Sequence, residues 1–162
     1  MSKINLIYGV GDVLHTHLNI NPFAEDADGK TIVRDRIDNL DKYVDDGEVE
    51  ELVAKDVIDY LPISGLEKAM DNWARKIKIN GKIVVGGIDL YEVSSDFSAY
   101  KIGVAKANAL IHGEQGVKSY LIRKSNFTAL GLSMYFEQKF GFRIIKKIVS
   151  DYNMCVEAIR QK

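Results

Sequence analysis

A continuous apolar segment near the start of the sequence constrains the fold more than any other feature. Residues 4–8 read INLIY and lead directly into Gly9-Val10-Gly11. A strand in the middle of a parallel sheet carries such a run, because neither of its faces meets water. The segment therefore predicts a central parallel strand that ends in a glycine turn, within an α/β architecture.

The segments that follow are typical of a sheet built from short strands. Strands are predicted at residues 18–20 and 31–33, which are bounded by turn-forming residues. Residues 49–54 fit either a short strand or a short helix, because two glutamates interrupt the apolar residues. The first third of the chain therefore predicts further strands beside the central one.

The helical pattern after Pro62 is the most regular in the chain. Ser64 and Glu67 have the spacing of a capping box, in which each side chain accepts a hydrogen bond from an unpaired backbone N–H. The apolar residues behind them recur at helical spacing: Leu66, Ala69, Met70, Trp73, Ala74 and Ile77. Asn80-Gly81 predicts the end of this helix, and residues 82–87 predict a buried strand after it. A helix that leads into a buried strand indicates a parallel crossover.

The last part of the chain predicts an insertion, a helix and a hairpin. Residues 91–120 are predicted to be a lid or acceptor loop, with helical character around 104–110. Ser125 is predicted to cap a second helix, which carries Phe127 and ends at Gly141. Strands at 142–149 and 154–159 are joined by a connection short enough to make them antiparallel neighbours.

Length, charge and cysteine content restrict the class of protein. With 162 residues, the chain is expected to form a single domain over residues 1–162. The 22 basic and 23 acidic residues leave no overall field that would attract nucleic acid or anionic lipid. No leader and no membrane-spanning stretch are recognised, which predicts a cytoplasmic protein. The single cysteine, Cys155, excludes an internal disulfide framework and is expected to be an inert core thiol.

Several motifs, in their order along the chain, resemble the compact class I S-adenosylmethionine (SAM)-dependent methyltransferases. They are IYGVGD (7–12), LNIN (18–21), DGEVEEL (46–52), VIDYLP (57–62), WARKIKINGK (73–82), IDL (88–90), HGEQ (112–115) and FGF (140–142). The resemblance covers nearly the whole chain. It implies a Rossmann-like methyltransferase fold with a mostly parallel sheet and an antiparallel C-terminal hairpin, here expected to lack an N-terminal cap.

The resemblance also implies where SAM would bind. Gly9 and Gly11 would line the methionine end of the cofactor, where their bare backbone leaves it room. Asn21 lies where the family carries an acidic residue that holds the ribose hydroxyls. Asp38 matches the residue that reads the adenine amino group, and Asp35 is the alternative. The complete set of expected cofactor-binding residues is Tyr8, Gly9, Val10, Gly11, Asn21, Asp38, Asn39 and Lys55.

The expected catalytic residues are His112, Tyr60 and Asp56. His112 has the residue type for a base near neutral pH and lies in a glycine-flanked loop. Asp56 and Tyr60 follow the fourth predicted strand, where the compact methyltransferases carry different residues. The acceptor is expected to be a small molecule of unknown identity, and a homo-oligomer is compatible with the sequence.

Other arrangements in the sequence argue for different chemistry, or for none. No metal site is expected: His15 and His17 alternate across an extended segment, and the acidic residues between 41 and 51 follow no calcium-loop spacing. A nicotinamide oxidoreductase is disfavoured because Leu14 stands where the dinucleotide fingerprint has its third glycine. A non-catalytic binding or assembly module with the same fold remains the alternative to an enzyme.

Overall fold

In the computed structural model, which describes residues 2–113, 116 and 118–162, seven strands form one mixed sheet. The strands are β1 (Ser2–Leu6), β2 (Leu18–Ile20), β3 (Ile32–Val33), β4 (Val49–Ala54), β5 (Ile77–Ile88), β6 (Phe142–Ser150) and β7 (Asn153–Arg160). Their order across the sheet is β3-β2-β1-β4-β5-β7-β6. β1 to β5 run parallel, and β7 runs antiparallel to both of its neighbours. The predicted parallel sheet with an antiparallel C-terminal hairpin is confirmed.

Helices cover one face of this sheet. The four α-helices in the described segments are α1 (Ile63–Lys76), α2 (Leu90–Ser98), α3 (Val104–His112) and α4 (Ala129–Phe140), and single 3-10 turns lie at Ile58–Tyr60 and Ser119–Leu121. α1 and α4 bury Trp73 and Phe136 completely, in one apolar cluster with Leu6, Leu52 and Ile83 of the sheet. α2 and α3 pack on each other next to Ile88 at the end of β5.

The opposite face of the sheet, which we call the open face, carries the alternate residues of the same strands. Lys3 is the cross-strand partner of Glu51, and Glu51 is the partner of Lys82. One step further along the strands, Val53 is the partner of Val84. The described helices pack elsewhere, and the loop at 12–17 lies over the β1 and β2 end of this face. The side chain of Asn5, for example, donates a hydrogen bond to the carbonyl of Asp12.

Two local details differ from the sequence prediction around α1. No side chain caps α1, which begins at Ile63 directly after Pro62, so the capping box predicted at Ser64 does not form. The helix also ends at Lys76 instead of continuing to Asn80. Asn80 has the predicted left-handed conformation, with φ of 62°, but it lies in an irregular part of β5. Residues 77–80 thus belong to strand β5, although their local pattern predicts the last turn and the end of a helix.

The segment after β5 also differs from its prediction. Residues 91–120 were expected to be a loop with one helical stretch, but α2 occupies Leu90–Ser98 in addition to α3. Residues 114, 115 and 117 of that insertion, two of which belong to the HGEQ motif, lie outside the described residues. Ser125 does not cap α4. Thr128 does, by accepting a hydrogen bond from the Gly131 N–H, whereas the Ser125 hydroxyl donates to the carbonyls of Ile58 and Leu61.

Candidate functional site

The order of strands in the sheet reverses between β1 and β4, and a depression lies at this point. In open α/β sheets ligands bind at the carboxyl ends of the strands on either side of such a reversal. The depression, of about 300 Å³, is lined by Val10, Gly11 and Asp12 after β1 and by Lys55 and Asp56 after β4. Four of the predicted site residues, Val10, Gly11, Lys55 and Asp56, therefore meet here.

The glycine turn is fastened to the end of β2 by Asn21. Gly9 has a φ of 79°, a conformation that a residue without a Cβ adopts readily. The Asn21 side-chain oxygen accepts hydrogen bonds from the N–H groups of Gly9 and Phe23, both at 3.0 Å. The Asn21 amide donates to the Gly9 carbonyl at 3.1 Å. Both polar atoms of this side chain thus hold the local backbone, so Asn21 fixes the shape of the turn.

Four aromatic side chains come together beside the turn. We call Tyr8, Phe23, Tyr60 and Tyr120 the aromatic cluster. The rings of Tyr8 and Tyr60 are parallel, with centroids 5.3 Å apart, and Phe23 meets Tyr8 edge-on at 5.0 Å. Phe23 and Tyr120 form the closest stack, with centroids 3.9 Å apart and an interplanar angle of 5°. The chain thus places flat apolar surfaces beyond the ends of three parallel strands.

The cluster covers one end of the glycine turn. A Cβ atom added at Gly9 would lie 2.6 Å from Cε2 of Tyr120 and 3.1 Å from Cδ2 of Leu121. At Gly11, by contrast, the nearest such neighbour is Ile7 of the same turn, and the residue is exposed beside the depression. An aromatic ring from a distant segment therefore fills the space beside Gly9, and a Cβ atom at Gly11 would lie 3.0 Å from Cγ2 of Ile7.

A buried carboxylate supports this region from beneath. Asp59 is fully buried, accepts a hydrogen bond from the Ile88 N–H at 2.7 Å and lies 3.4 Å from the Arg123 guanidinium. Burial raises the pKa of Asp59 to about 7, because it outweighs the opposing effects of the Ile88 N–H and of Arg123. Arg123 also lies over the ring of Tyr60, 5.4 Å from its centroid. This pair thus joins the end of β5 to the aromatic cluster.

Three predicted site residues lie apart from the depression. Asp38 forms a two-point ion pair with Arg36, at 2.9 and 2.6 Å, and together with Asn39 lines a different surface hollow beside α1. His112 is exposed at the end of α3, where its backbone carbonyl accepts a hydrogen bond from Arg123. The structure does not bring these three side chains to the glycine turn, whereas Tyr8, Asn21 and Tyr60 adjoin it.

Sequence reasoning missed Phe23, Tyr120 and Arg123 as parts of this site. Phe23 had a usable signal, since it follows Asn21-Pro22 directly after a parallel strand. No sequence signal points to Tyr120 or Arg123, because both lie in the segment after α3, far along the chain from the glycine turn. Asp59 had no sequence signal either, because its contacts come from Gly87 and Arg123, far along the chain.

A second depression of about 400 Å³ continues along the open face from Lys55 and Asp56. It is lined by Gly86, Lys146 and Cys155, among others. Cys155 is half-buried there, so the prediction of a core thiol is wrong: in the β5–β7 register it pairs with Gly86 on the open face. The two depressions share Lys55 and Asp56 and together form a shallow trench across the carboxyl ends of β1, β4 and β5.

The histidines near the start of the chain and the acidic residues between 41 and 51 differ in burial and in their partners. His17 is buried with its ring 3.2 Å from Glu51, whereas His15 is exposed. Asp41 and Asp46 are not simply solvated, since both pair with the buried ammonium of Lys76. Within the described segments, no group of three His, Cys, Asp or Glu side chains is placed to hold a metal ion. Of the described helices, none has the length and apolar character needed to cross a bilayer.

Comparison with known proteins gives matches by structure but not by sequence. No protein-family model and no curated protein matches the chain. A SAM-dependent methyltransferase from Thermotoga maritima, described as a possible histamine N-methyltransferase, matches with a TM-score of 0.62 and 16% identity, over 99% of this chain and 84% of that one. A SAM-dependent methyltransferase from Archaeoglobus fulgidus matches with a TM-score of 0.59 and 12% identity, over 98% and 86% of the two chains.

A third match was solved with ligands. It is the 1,6-didemethyltoxoflavin-N1-methyltransferase of Burkholderia thailandensis with bound 1,6-didemethyltoxoflavin and S-adenosylhomocysteine. Its TM-score is 0.58 at 7% identity, over 99% of this chain and 72% of that one. At such identities the similarity concerns the fold. The chain has the Rossmann-like fold of the class I SAM-dependent methyltransferases.

Proposed function

We propose that this chain, which has the class I methyltransferase fold, is a SAM-dependent methyltransferase that acts on a small molecule. The depression at the reversal of strand order, between β1 and β4, is the observation that carries the proposal. A ligand placed there meets the exposed backbone of Gly11 on one side and Lys55 and Asp56 on the other. Its position is the one that general α/β architecture favours for a ligand.

The charges around the depression suit the methionine end of SAM, which carries an ammonium and a carboxylate. Lys55 supplies an exposed ammonium, and Asp12 and Asp56 supply exposed carboxylates. A charge-assisted hydrogen bond is roughly twice as strong as a neutral one, so these three residues would orient a zwitterion. The aromatic cluster adjoins the depression and suits the adenine end, since purines stack on aromatic rings.

When bound, SAM supplies a methyl group on a sulfonium, and an acceptor atom displaces the thioether. The chain's part is mainly to align donor and acceptor, because positioning alone lowers such a barrier strongly. The trench leads from Lys55 and Asp56 toward Gly86 and Lys146, which gives a small acceptor a path to the depression over the open face. Asp56 lies at the junction and would accept the proton that an acceptor hydroxyl or amine releases.

The proposal is tested by calorimetry with S-adenosylhomocysteine and by transfer of a labelled methyl group from SAM to a panel of small acceptors. We expect binding, and a rise in the free energy of unfolding of about 2.7 kcal/mol when the ligand is at 100 times its Kd. Lys55→Met should weaken binding roughly tenfold or more, because a charge-assisted contact is lost. Lys106→Met, which removes an exposed lysine of α3, is the matched control and should leave the Kd unchanged.

A non-catalytic binding module is the second candidate, and a specific observation favours it. Both polar atoms of Asn21 are engaged by the backbone of Gly9 and Phe23, so a ribose hydroxyl would have to compete for them. Binding without labelled product from any acceptor would support this candidate. A labelled product that depends on Lys55 and Asp56 would exclude it.

A further inference from the structure

We infer that the ring of Tyr120 occupies the purine-binding position of this chain, because it stacks on Phe23 where an adenine base would stack. The inference rests on the proposed function and names the residues that hold the nucleoside end. A purine exchanges with Tyr120, so this tyrosine competes with the ligand, whereas Phe23 binds it.

Phe23 belongs to the floor of the site. Its backbone N–H donates to the same Asn21 oxygen that accepts from Gly9. Asn21 is buried, and these bonds fix the start of the segment after β2 relative to the glycine turn. The ring of Phe23 is also supported on one side by Tyr8, which meets it edge-on at 5.0 Å. Phe23 is thus positioned by Asn21 and Tyr8, which adjoin the glycine turn.

Tyr120 reaches the site from elsewhere in the chain. It lies in a single helical turn, Ser119–Leu121, that no side chain caps, in the connection between α3 and α4. Its ring is half-buried and covers one face of Phe23. Tyr120 is held at this place by the stack on Phe23, by the approach of its edge to Gly9, and by the ammonium of Lys118, which lies 5.7 Å from the centroid of the Tyr120 ring.

The stack has the geometry of a base on an aromatic side chain. The two rings are parallel within 5° and their centroids are 3.9 Å apart, so the contact is face to face with little offset. The edge of Tyr120 meets backbone at Gly9, where any Cβ would collide with it. A purine base would fit this position in the same way, with its face on Phe23 and its edge against the backbone of Gly9.

The exchange favours the purine. Stacking of a nucleobase on an aromatic side chain is stronger than the stacking of two side-chain rings. A nucleoside therefore gains more from Phe23 than Tyr120 loses by leaving, but its observed affinity is lower than it would be at an empty site. Removing the Tyr120 ring should therefore raise the affinity for a nucleoside by a factor of about 3 to 10, which corresponds to the stacking energy that the displaced ring loses.

The test measures the Kd values of adenosine, S-adenosylhomocysteine and methionine by calorimetry on the full chain. Tyr120→Ala should tighten adenosine and S-adenosylhomocysteine binding about 3- to 10-fold, whereas Phe23→Leu should weaken both by about tenfold or more. Methionine binding should respond to neither substitution. Tyr100→Ala, at a residue that is 95% exposed, is the matched control for loss of a tyrosine ring. Tyr120→Leu, which keeps apolar bulk without a flat ring, should act in the same direction as Tyr120→Ala and guards against a folding defect.

The outcomes separate this inference from the proposed function. Tighter adenosine binding by Tyr120→Ala, together with the loss in Phe23→Leu, supports the inference even if no methyl transfer is found. Equal or weaker nucleoside binding by both Tyr120 variants would overturn it, and would leave the methyltransferase proposal intact provided that wild type binds S-adenosylhomocysteine. If neither wild type nor the Tyr120 variants bind any nucleoside, both ideas are wrong.

Discussion

The face of the sheet that carries α1 and α4 is apolar, whereas the open face is charged, although the two faces share every strand. On the covered face, Leu52 and Ile83 are completely buried beneath the helices. On the open face, the adjacent positions along the same strands are Glu51 and Lys82. A sheet with helices on one side only therefore alternates apolar and polar residues, as antiparallel sheets with one wet face do.

The charges of the open face form a continuous row across five strands. Lys3, Glu51, Lys82, Glu157 and Lys146 alternate in sign, and successive ion pairs measure 4.0, 2.7, 3.9 and 3.3 Å. Every charge thus faces an opposite charge on a neighbouring strand, which is the favourable cross-strand arrangement.

This face also keeps some buried apolar surface next to the row of charges. Val53 and Val84 are only 7% and 4% exposed, yet neither belongs to the core beneath α1 and α4. The aliphatic stems of lysine and glutamate can cover neighbouring apolar atoms while their charged ends stay in water. The comparison teaches that a face of the sheet without helices can still bury apolar side chains.

The largest contrast between the faces should appear when one large side chain is truncated on each. Phe136→Ala removes a fully buried ring from the covered face and should lower the free energy of unfolding by about 3–5 kcal/mol. Ile148→Ala on the open face is the control, since Ile148 is 47% exposed there and should cost less than about 1 kcal/mol. Urea unfolding of both variants measures the difference. Equal losses would mean that the open face contributes a core of its own.

Carboxylates on the two faces should respond to pH in opposite directions. Asp59 lies against Gly87 on the covered side, and burial raises its pKa from 3.8 to about 7. The folded protein then binds more protons than the unfolded chain between pH 4 and 7, so Asp59 makes stability fall as the pH rises through that range. Asp59→Asn should remove this decline, which amounts to at most about 4 kcal/mol. Urea unfolding of wild type and variant at pH 5 and pH 8 checks it, and identical pH dependence of the two would contradict the prediction.

Glu51 on the open face should have the smallest effect and the opposite sign. Burial raises its pKa, but the hydrogen bond from Lys82 and the nearby positive charges outweigh this, so the pKa is lowered overall. Its contribution to stability is therefore present at neutral pH and is lost as the pH falls below the range where the unfolded carboxyl titrates. Glu51→Gln should cost about 1 kcal/mol at pH 7 and low salt, and less at high salt.

The matched control for Glu51 is Glu50→Gln. Glu50 is its neighbour on β4 and makes one longer ion pair, 3.7 Å from Lys78. We expect the Glu50 variant to lose less stability than the Glu51 variant at low salt. If Glu50→Gln loses as much stability as Glu51→Gln, or more, the row of charges stabilises the fold no more than isolated ion pairs do.

Much of the sheet could be predicted because its elements follow local patterns. The apolar run before Gly9, the helix around Trp73 and the C-terminal hairpin all show their periodicity within a few residues. The start of α2 was missed although it has a local signal, since an Asp at 89 followed three residues later by Glu92 is the spacing of a helix N-cap. The Asp89 carboxylate caps α2 at the Glu92 N–H and also accepts from the Ala129 N–H at the start of α4. Only the second of these bonds, to α4, joins residues that are far apart in the sequence and so has no local pattern.

The candidate site was predictable where it follows single strands. Gly11, Lys55 and Asp56 come directly after β1 and β4, so topology alone brings them together. Phe23 and Tyr120 meet only because the connection between α3 and α4 returns over the glycine turn. Asp38 lies apart from the depression because a nearby arginine, Arg36, holds its carboxylate beside α1.

The position of β7 has a consequence for how the chain assembles. It is the last of the seven strands along the sequence, yet it separates β5 from β6. Until it inserts, both of those strands present unpaired hydrogen-bonding edges, the condition under which chains associate with one another. A nascent or partly unfolded molecule should therefore be most prone to aggregate at this gap, and closing it demands pairings between residues far apart in sequence, which slows folding.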